Sequence, residues 1–219
     1  MKTTNLFRFR TGLKTNIKMT KLSKFKYPSE MEGDVPNFYK EIYEENEYNR
    51  FGIQIEKGDV VVDCGANIGI FSQYALDMGA SKVVGYEPED EAFEYYEKNV
   101  KSKKVDKIKS FISKDGIDVK RILSDNNLDK VDFLKLDIEG AEWELFEVLD
   151  SDTLNKVDKW AIEFHTYYYN PNVGLEQRAK NLWQFLQILE LFSTNGYTIK
   201  YEHLHKGWDI VHLYAKKEI

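Results

Sequence analysis

Two acidic residues flank a glycine-containing turn, and together they could bind a charged nucleoside. The turn is D-C-G-A-N-I-G, in which Asp63 comes first and Gly65 and Gly69 stand four residues apart. This spacing differs from the G-x-G-x-x-G of dinucleotide sites, and no Lys-Ser or Lys-Thr pair follows it as in a P-loop. An acid here repels a pyrophosphate but suits a ligand with an ammonium and a sulfonium group. The turn therefore predicts a site for S-adenosylmethionine, with an ordinary strand–helix loop as the simpler alternative.

The second acid, Glu87, lies 18 residues beyond Gly69, at the end of the next apolar segment. A carboxylate at this point of a nucleotide-binding unit can accept hydrogen bonds from both ribose hydroxyls. Pro88 restricts Glu87 to an extended backbone, which directs its side chain along the ligand crevice. Glu87 is therefore predicted to bind the ribose, although any single strand-end acid can simply be solvated.

Three further ionisable residues follow later apolar segments and could carry a reaction. Asp137 and His165 each end such a segment, and Glu139 lies at the entry to a helix. A histidine near its ordinary pKa is a natural general base. We expect His165 to take a proton from the acceptor, with Asp137 or Glu139 orienting the base or the acceptor. Acids in a first helical turn also stabilise the helix, and that role is the alternative for Glu139 and a sufficient one for Glu142.

The elements that must position these residues alternate between strands and helices. This order predicts an α/β fold with a doubly wound, mostly parallel sheet that ends in an antiparallel hairpin. Ligands of such sheets bind outside the carboxyl ends of the strands, where the acids and His165 lie. The predicted strands are 60–62, 83–86, 108–112, 131–136, 160–164, 197–201 and 208–215, and the predicted helices are 38–50, 70–78, 89–101, 119–123, 143–149 and 175–194.

Length and charge limit the other classes of function. The 219 residues fit a basic arm, 1–36, followed by a single domain, 37–219. The net charge of −6 disfavours a nucleic-acid surface, and the basic residues of the arm are expected to pack on the acidic segment 28–56.

No apolar run is long enough to span a membrane, and a single cysteine fits the cytoplasm. His203 and His205 lack a third ligand at a recognisable spacing, so no metal site is predicted.

Four segments together resemble the FkbM family of S-adenosylmethionine-dependent methyltransferases: VVVDCGANIGIFSQYA, GYEPEDEAFEYYEKNV, VDFLKLDIEGAEWELFEVL and IEFH. The resemblance implies the class I methyltransferase fold, a seven-stranded sheet with one antiparallel strand in its last hairpin. It implies O-methylation of a hydroxyl on a sugar, glycan or small metabolite. It also implies that Ser113 lies beside the adenine and that Asp137 closes the pocket. The predicted cofactor residues are Asp63, Gly65, Ala66, Asn67, Gly69, Glu87, Ser113 and Asp137.

Three alternatives to this function stay open at the level of sequence. The basic arm could serve an RNA methyltransferase, in which it would bind the nucleic acid. The fold could persist as a nucleoside-binding module without chemistry. A nicotinamide-dependent oxidoreductase on a similar sheet is disfavoured by the glycine spacing and by Asp63. The sequence does not identify the acceptor or the oligomeric state.

Overall fold

A seven-stranded sheet forms the centre of the protein, and its order is β3-β2-β1-β4-β5-β7-β6. The computed structural model describes residues 19–166, 174–202 and 210–218. All neighbouring strands run parallel except β7, which is antiparallel to both β5 and β6. The strands are β1 (Val60–Cys64), β2 (Lys82–Tyr86), β3 (Val105–Ile108), β4 (Phe133–Leu136), β5 (Lys159–His165), β6 (Tyr197–Glu202) and β7 (Ile210–Lys217).

Helices connect the parallel strands, so the predicted doubly wound sheet with a closing hairpin is confirmed. The long helix predicted at 175–194 has the observed bounds. The helices are α1 (Val35–Tyr39), α2 (Ile70–Met78), α3 (Asp90–Asn99), α4 (Val119–Asp125), α5 (Glu142–Val148), α6 (Ser151–Leu154) and α7 (Leu175–Thr194), with a π-helical turn at Lys40–Glu44 and 3-10 turns at Leu22–Lys24 and Ser29–Met31.

Two predicted elements differ from the structure in their position. The third strand ends at Ile108, because Ile108 pairs with Tyr86 and β2 ends at that residue. Residues 109–112 therefore have no β2 residue with which to pair. The helix predicted at 38–50 begins earlier, since Pro36 fits a first helical turn. Its helical backbone stops before Asn46, which has a left-handed φ of 55°.

Two hydrophobic cores lie on opposite faces of the sheet. Adjacent residues of β1 serve different cores, since Val61 packs with α2 and α3 while Val62 packs with α4, α5 and α7. This alternation is the period of two expected of a strand that is buried on both faces. The described part of the basic arm joins the α2 side, because Phe25 and Val35 belong to that core. Residues 1–18 of the arm lie outside the described part of the chain.

The strand register aligns the predicted site residues at one edge of the sheet. Cys64 pairs with both Tyr86 and Leu136, so the residues that follow them leave the sheet side by side. The next strand keeps this alignment through the pairing of Leu136 with Ile162. The loop after β1, Glu87, Asp137 and the end of β5 therefore share one edge, which we call the crevice edge. Within the described residues, no helix combines the length and apolar character needed to cross a lipid bilayer.

Candidate active site

The glycine loop after β1 is fixed between two neighbouring strands. Gly65 has a left-handed φ of 82°, and a Cβ there would lie 1.8 Å from the carbonyl oxygen of Asp137. The backbone N–H groups of Gly65 and Ala66 donate to the carbonyl of Tyr86, at 3.0 and 2.9 Å. Gly65 is one of the predicted cofactor residues. In the structure, the close approach that requires glycine is the one between this loop and the end of β4.

Glu87 is anchored by backbone donors on both of its oxygens. Its Oε2 accepts the N–H of Asn67 at 2.7 Å, and its Oε1 accepts the N–H of Glu89 at 2.9 Å. Burial raises the pKa of this carboxyl, and the two hydrogen bonds oppose that rise. Asn67 itself is exposed and has a left-handed φ of 50°. The loop and Glu87, the acid predicted to bind the ribose, are therefore linked by a direct hydrogen bond.

Asp63 lies beneath the loop and faces away from the open crevice. Its side chain is fully buried, accepts a hydrogen bond from Ser72 Oγ at 2.7 Å and has Lys135 Nζ 3.5 Å from Oδ1. The alternation of β1 places residue 63 on the face that α2 covers, and the charge of Lys135 compensates that of the acid. The sequence-based argument that Asp63 attracts a cationic ligand therefore has no support in its geometry. The structure favours a role for Asp63 in holding the loop.

Gly69 and Ser113 have packing and backbone contacts in the structure, and neither residue forms a hydrogen bond with Glu87. A Cβ on Gly69 would lie 2.4 Å from the ring of Tyr96 and 2.8 Å from Val100, so this glycine permits close packing of the loop on α3. Ser113 is half-buried in the turn beyond β3, where its N–H donates to the carbonyl of Ile117 at 3.1 Å. Its placement beside an adenine stays a prediction.

Asp137 lies at the crevice edge and is linked to a buried lysine. Lys135 Nζ lies 3.2 Å from Asp137 Oδ2 and donates to the carbonyl of Gly65 at 2.8 Å. The hydroxyl of Tyr48 is 3.1 Å from the same Asp137 oxygen. Burial raises the pKa of Asp137 to about 6, although the charge of Lys135 opposes the rise. Asp137 thus combines partial exposure with a firm attachment to the cofactor loop.

His165 ends β5 at the same edge, and its two ring nitrogens face different carboxylates. Nδ1 lies 3.2 Å from Oε1 of the fully buried Glu142, and Nε2 lies 3.4 Å from Oε2 of Glu139. The Glu139 side chain is 87% exposed, so Nε2 is the nitrogen on the solvent side. Burial lowers the pKa of His165, but the hydrogen bond to Glu142 and the charge of Asp137 outweigh it and raise the pKa to about 9.

Glu142 is the site residue that the sequence analysis left in a capping role. Besides contacting His165, it accepts the N–H groups of Ile138 at 2.8 Å and of Gly140 at 3.0 Å. It therefore fixes both the loop after β4 and the orientation of the imidazole. One sequence signal could have indicated this: Glu142 is followed by Trp143, Leu145 and Phe146, which places it at the start of an inward-facing helix. Glu139 has a left-handed φ of 58°, an uncommon conformation for a glutamate.

Two family models match this sequence. The model for the methyltransferase FkbM domain matches residues 103–199. A curated relative, the 31-O-demethyl-FK506 methyltransferase FkbM of Streptomyces tacrolimicus, is 40% identical over 57 residues, which are 26% of this chain and 22% of that protein. The chain is therefore similar to FkbM methyltransferases over less than half of its length. Residues 13–136, more than half of the chain, match the TRM5/TYW2 methyltransferase domain, and the chain belongs to that domain family.

Solved structures of methyltransferases share the fold of this chain. A methyltransferase FkbM from Methylobacillus flagellatus aligns with a TM-score of 0.52 at 21% identity, over 80% of this chain and 47% of that one. An S-adenosylmethionine-dependent methyltransferase of Listeria monocytogenes aligns with a TM-score of 0.56 at 13% identity, over 82% and 98% of the two chains. The predicted class I methyltransferase fold is therefore confirmed.

S-adenosylmethionine is the cofactor of these methyltransferases, and the residues at the crevice edge fit it. Glu87 presents a carboxylate beside a loop that contains no lysine or arginine, as a nucleoside without phosphate requires. Asp137, Glu139 and Glu163 add negative charge at the neighbouring strand ends, which suits a cationic sulfonium. The predicted cofactor is thus consistent with the chemistry of the edge, even though Asp63 contributes no open charge.

Proposed function

We propose that this chain is a methyltransferase of the FkbM type, which transfers a methyl group to a hydroxyl of a sugar, glycan or small metabolite, with His165 as the general base. The observation that carries the proposal is the contact between His165 Nδ1 and the buried Glu142. This contact fixes the ring so that Nε2 lies on the side of the exposed Glu139. A base that is held in one orientation beside a cofactor loop is what proton removal from an acceptor requires.

The cofactor is proposed to bind to Glu87, to the backbone of Gly65, Ala66 and Asn67, and beside Asp137. Gly69 and Asp63 support this loop from behind, and Ser113 is assigned to the adenine side. When bound, S-adenosylmethionine supplies an electrophilic methyl group on a positively charged sulfur. The protein contributes alignment of the two reactants, and such alignment provides much of the acceleration of an in-line displacement.

The acceptor hydroxyl must lose its proton, and we assign that proton to His165 Nε2. In the absence of the cofactor, the raised pKa keeps His165 protonated at neutral pH. A sulfonium cation at the same edge disfavours a second positive charge, and it therefore favours the neutral ring that can accept a proton. Glu142 then stabilises the imidazolium that forms, since its carboxylate faces Nδ1.

The class of acceptor is inferred from the family. The curated relative acts, by its name, on a 31-O-demethyl compound, and this supports an oxygen acceptor for the present chain. The matched segment is a minor part of that relative, so the hydroxyl-bearing partner is a proposal for this chain. A cytoplasmic location, where small-molecule acceptors are available, belongs to the same proposal.

The test uses the full chain in two assays. Calorimetry with S-adenosylhomocysteine, and with NADH as the competing cofactor, should show binding of the first compound only. An acceptor panel of sugars, glycans, small hydroxylated metabolites and RNA oligonucleotides is then incubated with S-adenosylmethionine. We expect S-adenosylhomocysteine release together with an oxygen-methylated product from a hydroxylated small molecule or glycan. Methylation of RNA alone, or cofactor binding without any methylated product across the panel, would contradict the proposal.

A further inference from the structure

A second group of two carboxylates and one imidazole lies beside the candidate active site. We call Glu47, Glu163 and His212 the inner cluster, and Asp137, Glu142 and His165 the outer cluster. In the inner cluster, Glu163 of β5 and His212 of β7 are paired residues of neighbouring antiparallel strands. Their side chains therefore lie on the same face. Glu47, from the segment after the π-helical turn, covers this pair.

The ligand-type atoms of the inner cluster converge on one point. Nε2 of His212 lies 3.2 Å from Glu163 Oε2 and 3.5 Å from Glu47 Oε1, and all three atoms lie within 4.8 Å of one another. Metal bonds of about 2.0–2.2 Å in tetrahedral geometry separate neighbouring ligand atoms by about 3.3–3.6 Å. The distance to Glu47 lies within this range, and the distance to Glu163 is about 0.1 Å shorter than its lower limit.

The hydrogen bonds of His212 leave Nε2 free to act as a ligand. The hydroxyl of Tyr214 donates to the carbonyl of Glu47 at 2.6 Å, so it can only accept from the Nδ1–H of His212, which is 3.3 Å away. In the neutral ring, Nε2 is then the nitrogen that carries the lone pair. The His212 residue is 1% exposed, and Nε2 has no hydrogen-bond partner among the described residues. A hydrogen bond from the opposite ring nitrogen is typical of a metal-binding histidine.

The charge balance of this region also favours a cation. Five carboxylates, those of Asp63 and of the two clusters, face the cations Lys135, His165 and His212. Even with both imidazoles protonated, the five carboxyl groups outnumber the three cationic side chains. Buried carboxylates are normally paired with cations or coordinate a metal. The outer cluster is a weaker candidate, because Glu142 already accepts backbone N–H groups and its contact to His165 occupies Nδ1.

We propose that Glu47, Glu163 and His212 form a binding site for one divalent transition-metal ion, of the class that accepts mixed nitrogen and oxygen ligands, such as Zn²⁺ or Mn²⁺. The ion replaces the proton that would otherwise lie between Nε2 and the two carboxylates. The site does not depend on the proposed methyl transfer, since its ligands are distinct from Glu87 and His165. It is linked to the outer cluster through Glu163, whose Oε1 lies 3.8 Å from His165 Nε2.

Titration of the chelator-treated full chain with the metal alone tests the proposal. Calorimetry should give one Zn²⁺ per chain, weaker binding of Mn²⁺ and no binding of Mg²⁺, which prefers oxygen ligands. His212→Gln and Glu47→Gln should each weaken Zn²⁺ binding at least tenfold. Zn²⁺ should also raise the melting temperature of the wild-type chain but not that of these variants.

Two control variants separate this site from other histidines. His165→Gln alters the outer cluster, and the double variant His203→Gln/His205→Gln alters a pair outside the described residues. Both should bind Zn²⁺ within threefold of the wild type. If the inner-cluster variants fail to fold, X-ray absorption of the Zn²⁺-loaded wild type should show nitrogen and oxygen ligands without sulfur. Failure of the wild type to bind Zn²⁺ or Mn²⁺ stoichiometrically, a sulfur ligand, or loss of binding only in the controls would overturn the proposal.

Discussion

His165 and His212 each lie among carboxylates at the same edge of the sheet, yet their surroundings differ in one decisive respect. Nδ1 of His165 contacts the carboxylate of Glu142, whereas Nδ1 of His212 contacts the hydroxyl of Tyr214 and, among the described residues, no carboxylate. The His165 side chain is 11% exposed and that of His212 is 2% exposed. A charged partner and access to solvent favour proton transfer by the first ring. A neutral partner and burial leave the second ring suited to holding an ion.

Glu163 joins the two environments, because its two oxygens face different histidines. Oε2 lies 3.2 Å from His212 Nε2, and Oε1 lies 3.8 Å from His165 Nε2. The charge of His212 holds the pKa of Glu163 below its ordinary value even though burial opposes this. Variants that alter only one cluster can therefore distinguish a proton-transfer role of His165 from a metal-binding role of His212.

The largest expected effect is that of His165→Ala on turnover. Removal of a general base typically lowers the rate by about 10²- to 10⁴-fold. We expect that loss in kcat with the acceptor identified from the panel. S-adenosylhomocysteine affinity, measured by calorimetry, should stay within about threefold of the wild type, because the ring does not contact Glu87 or the glycine loop. Full turnover in this variant would exclude His165 as the base.

Lys135→Met should produce the largest loss of stability. Lys135 is 2% exposed, and its ammonium lies near both Asp63 and Asp137, so the variant leaves a fully buried carboxylate without its cation. Loss of one partner from a buried ion pair costs about 3–5 kcal/mol in the free energy of unfolding, which urea denaturation measures.

Two controls test the cause of that loss. Asp63→Asn combined with Lys135→Met should recover part of the stability, since no unpaired charge then remains at residue 63. Lys82→Met removes an exposed partner of Asp106 and should cost less than about 1 kcal/mol. Equal losses in the two lysine variants would show that burial of the ion pair is not the reason.

The sequence predicted the parts of this site that depend on local pattern and strand order. The ends of the strands can be predicted from the ends of apolar runs. Because parallel strands end at one edge of a sheet, Glu87, Asp137 and His165 are predicted to lie at the same edge. The sequence does not predict the contact between Glu142 and His165, because a helix-capping acid and a buried acid have the same local sequence. The burial of Glu142 follows from the packing of α5 against β5, where Trp143 Nε1 donates to the carbonyl of His165.

The inner cluster could not be predicted, because its members come from distant segments. His212 becomes the neighbour of Glu163 only through the antiparallel pairing of β5 with β7, and Glu47 reaches both from the N-terminal part of the chain. No spacing rule connects such positions. Asp63 differs from the inner cluster, because the motif located this residue but not the direction of its side chain. That direction depends on Lys135 and Ser72, which contact Asp63 on the face that α2 covers.

Glu87→Gln tests whether cofactor binding is a property separate from both clusters. Hydrogen bonds to charged groups contribute about 1.5–3 kcal/mol, so the affinity for S-adenosylhomocysteine should fall by about 10- to 100-fold in calorimetry. Zn²⁺ binding should not change, because Glu87 lies outside the inner cluster. The matched control is Glu91→Gln, an exposed acid in the first turn of α3. Unchanged affinity in Glu87→Gln, or an equal loss in the control, would argue against ribose recognition by this acid.

Tyr48→Phe should have the smallest effect, because it removes only the hydroxyl that bridges the two clusters. That hydroxyl lies 3.1 Å from Asp137 Oδ2 and 2.9 Å from Glu163 Oε2, and both carboxylates keep a cationic neighbour in Lys135 or His212. We expect a loss of about 0.5–1.5 kcal/mol in urea unfolding, as for an ordinary hydrogen bond. The ring, which stacks on His212 with centroids 6.0 Å apart, is retained in the variant. Tyr74→Phe, which removes a buried hydroxyl paired with neutral amides, is the control. A much larger loss in Tyr48→Phe than in Tyr74→Phe would mean that the bridging proton holds the clusters together, and that they act as one site rather than two.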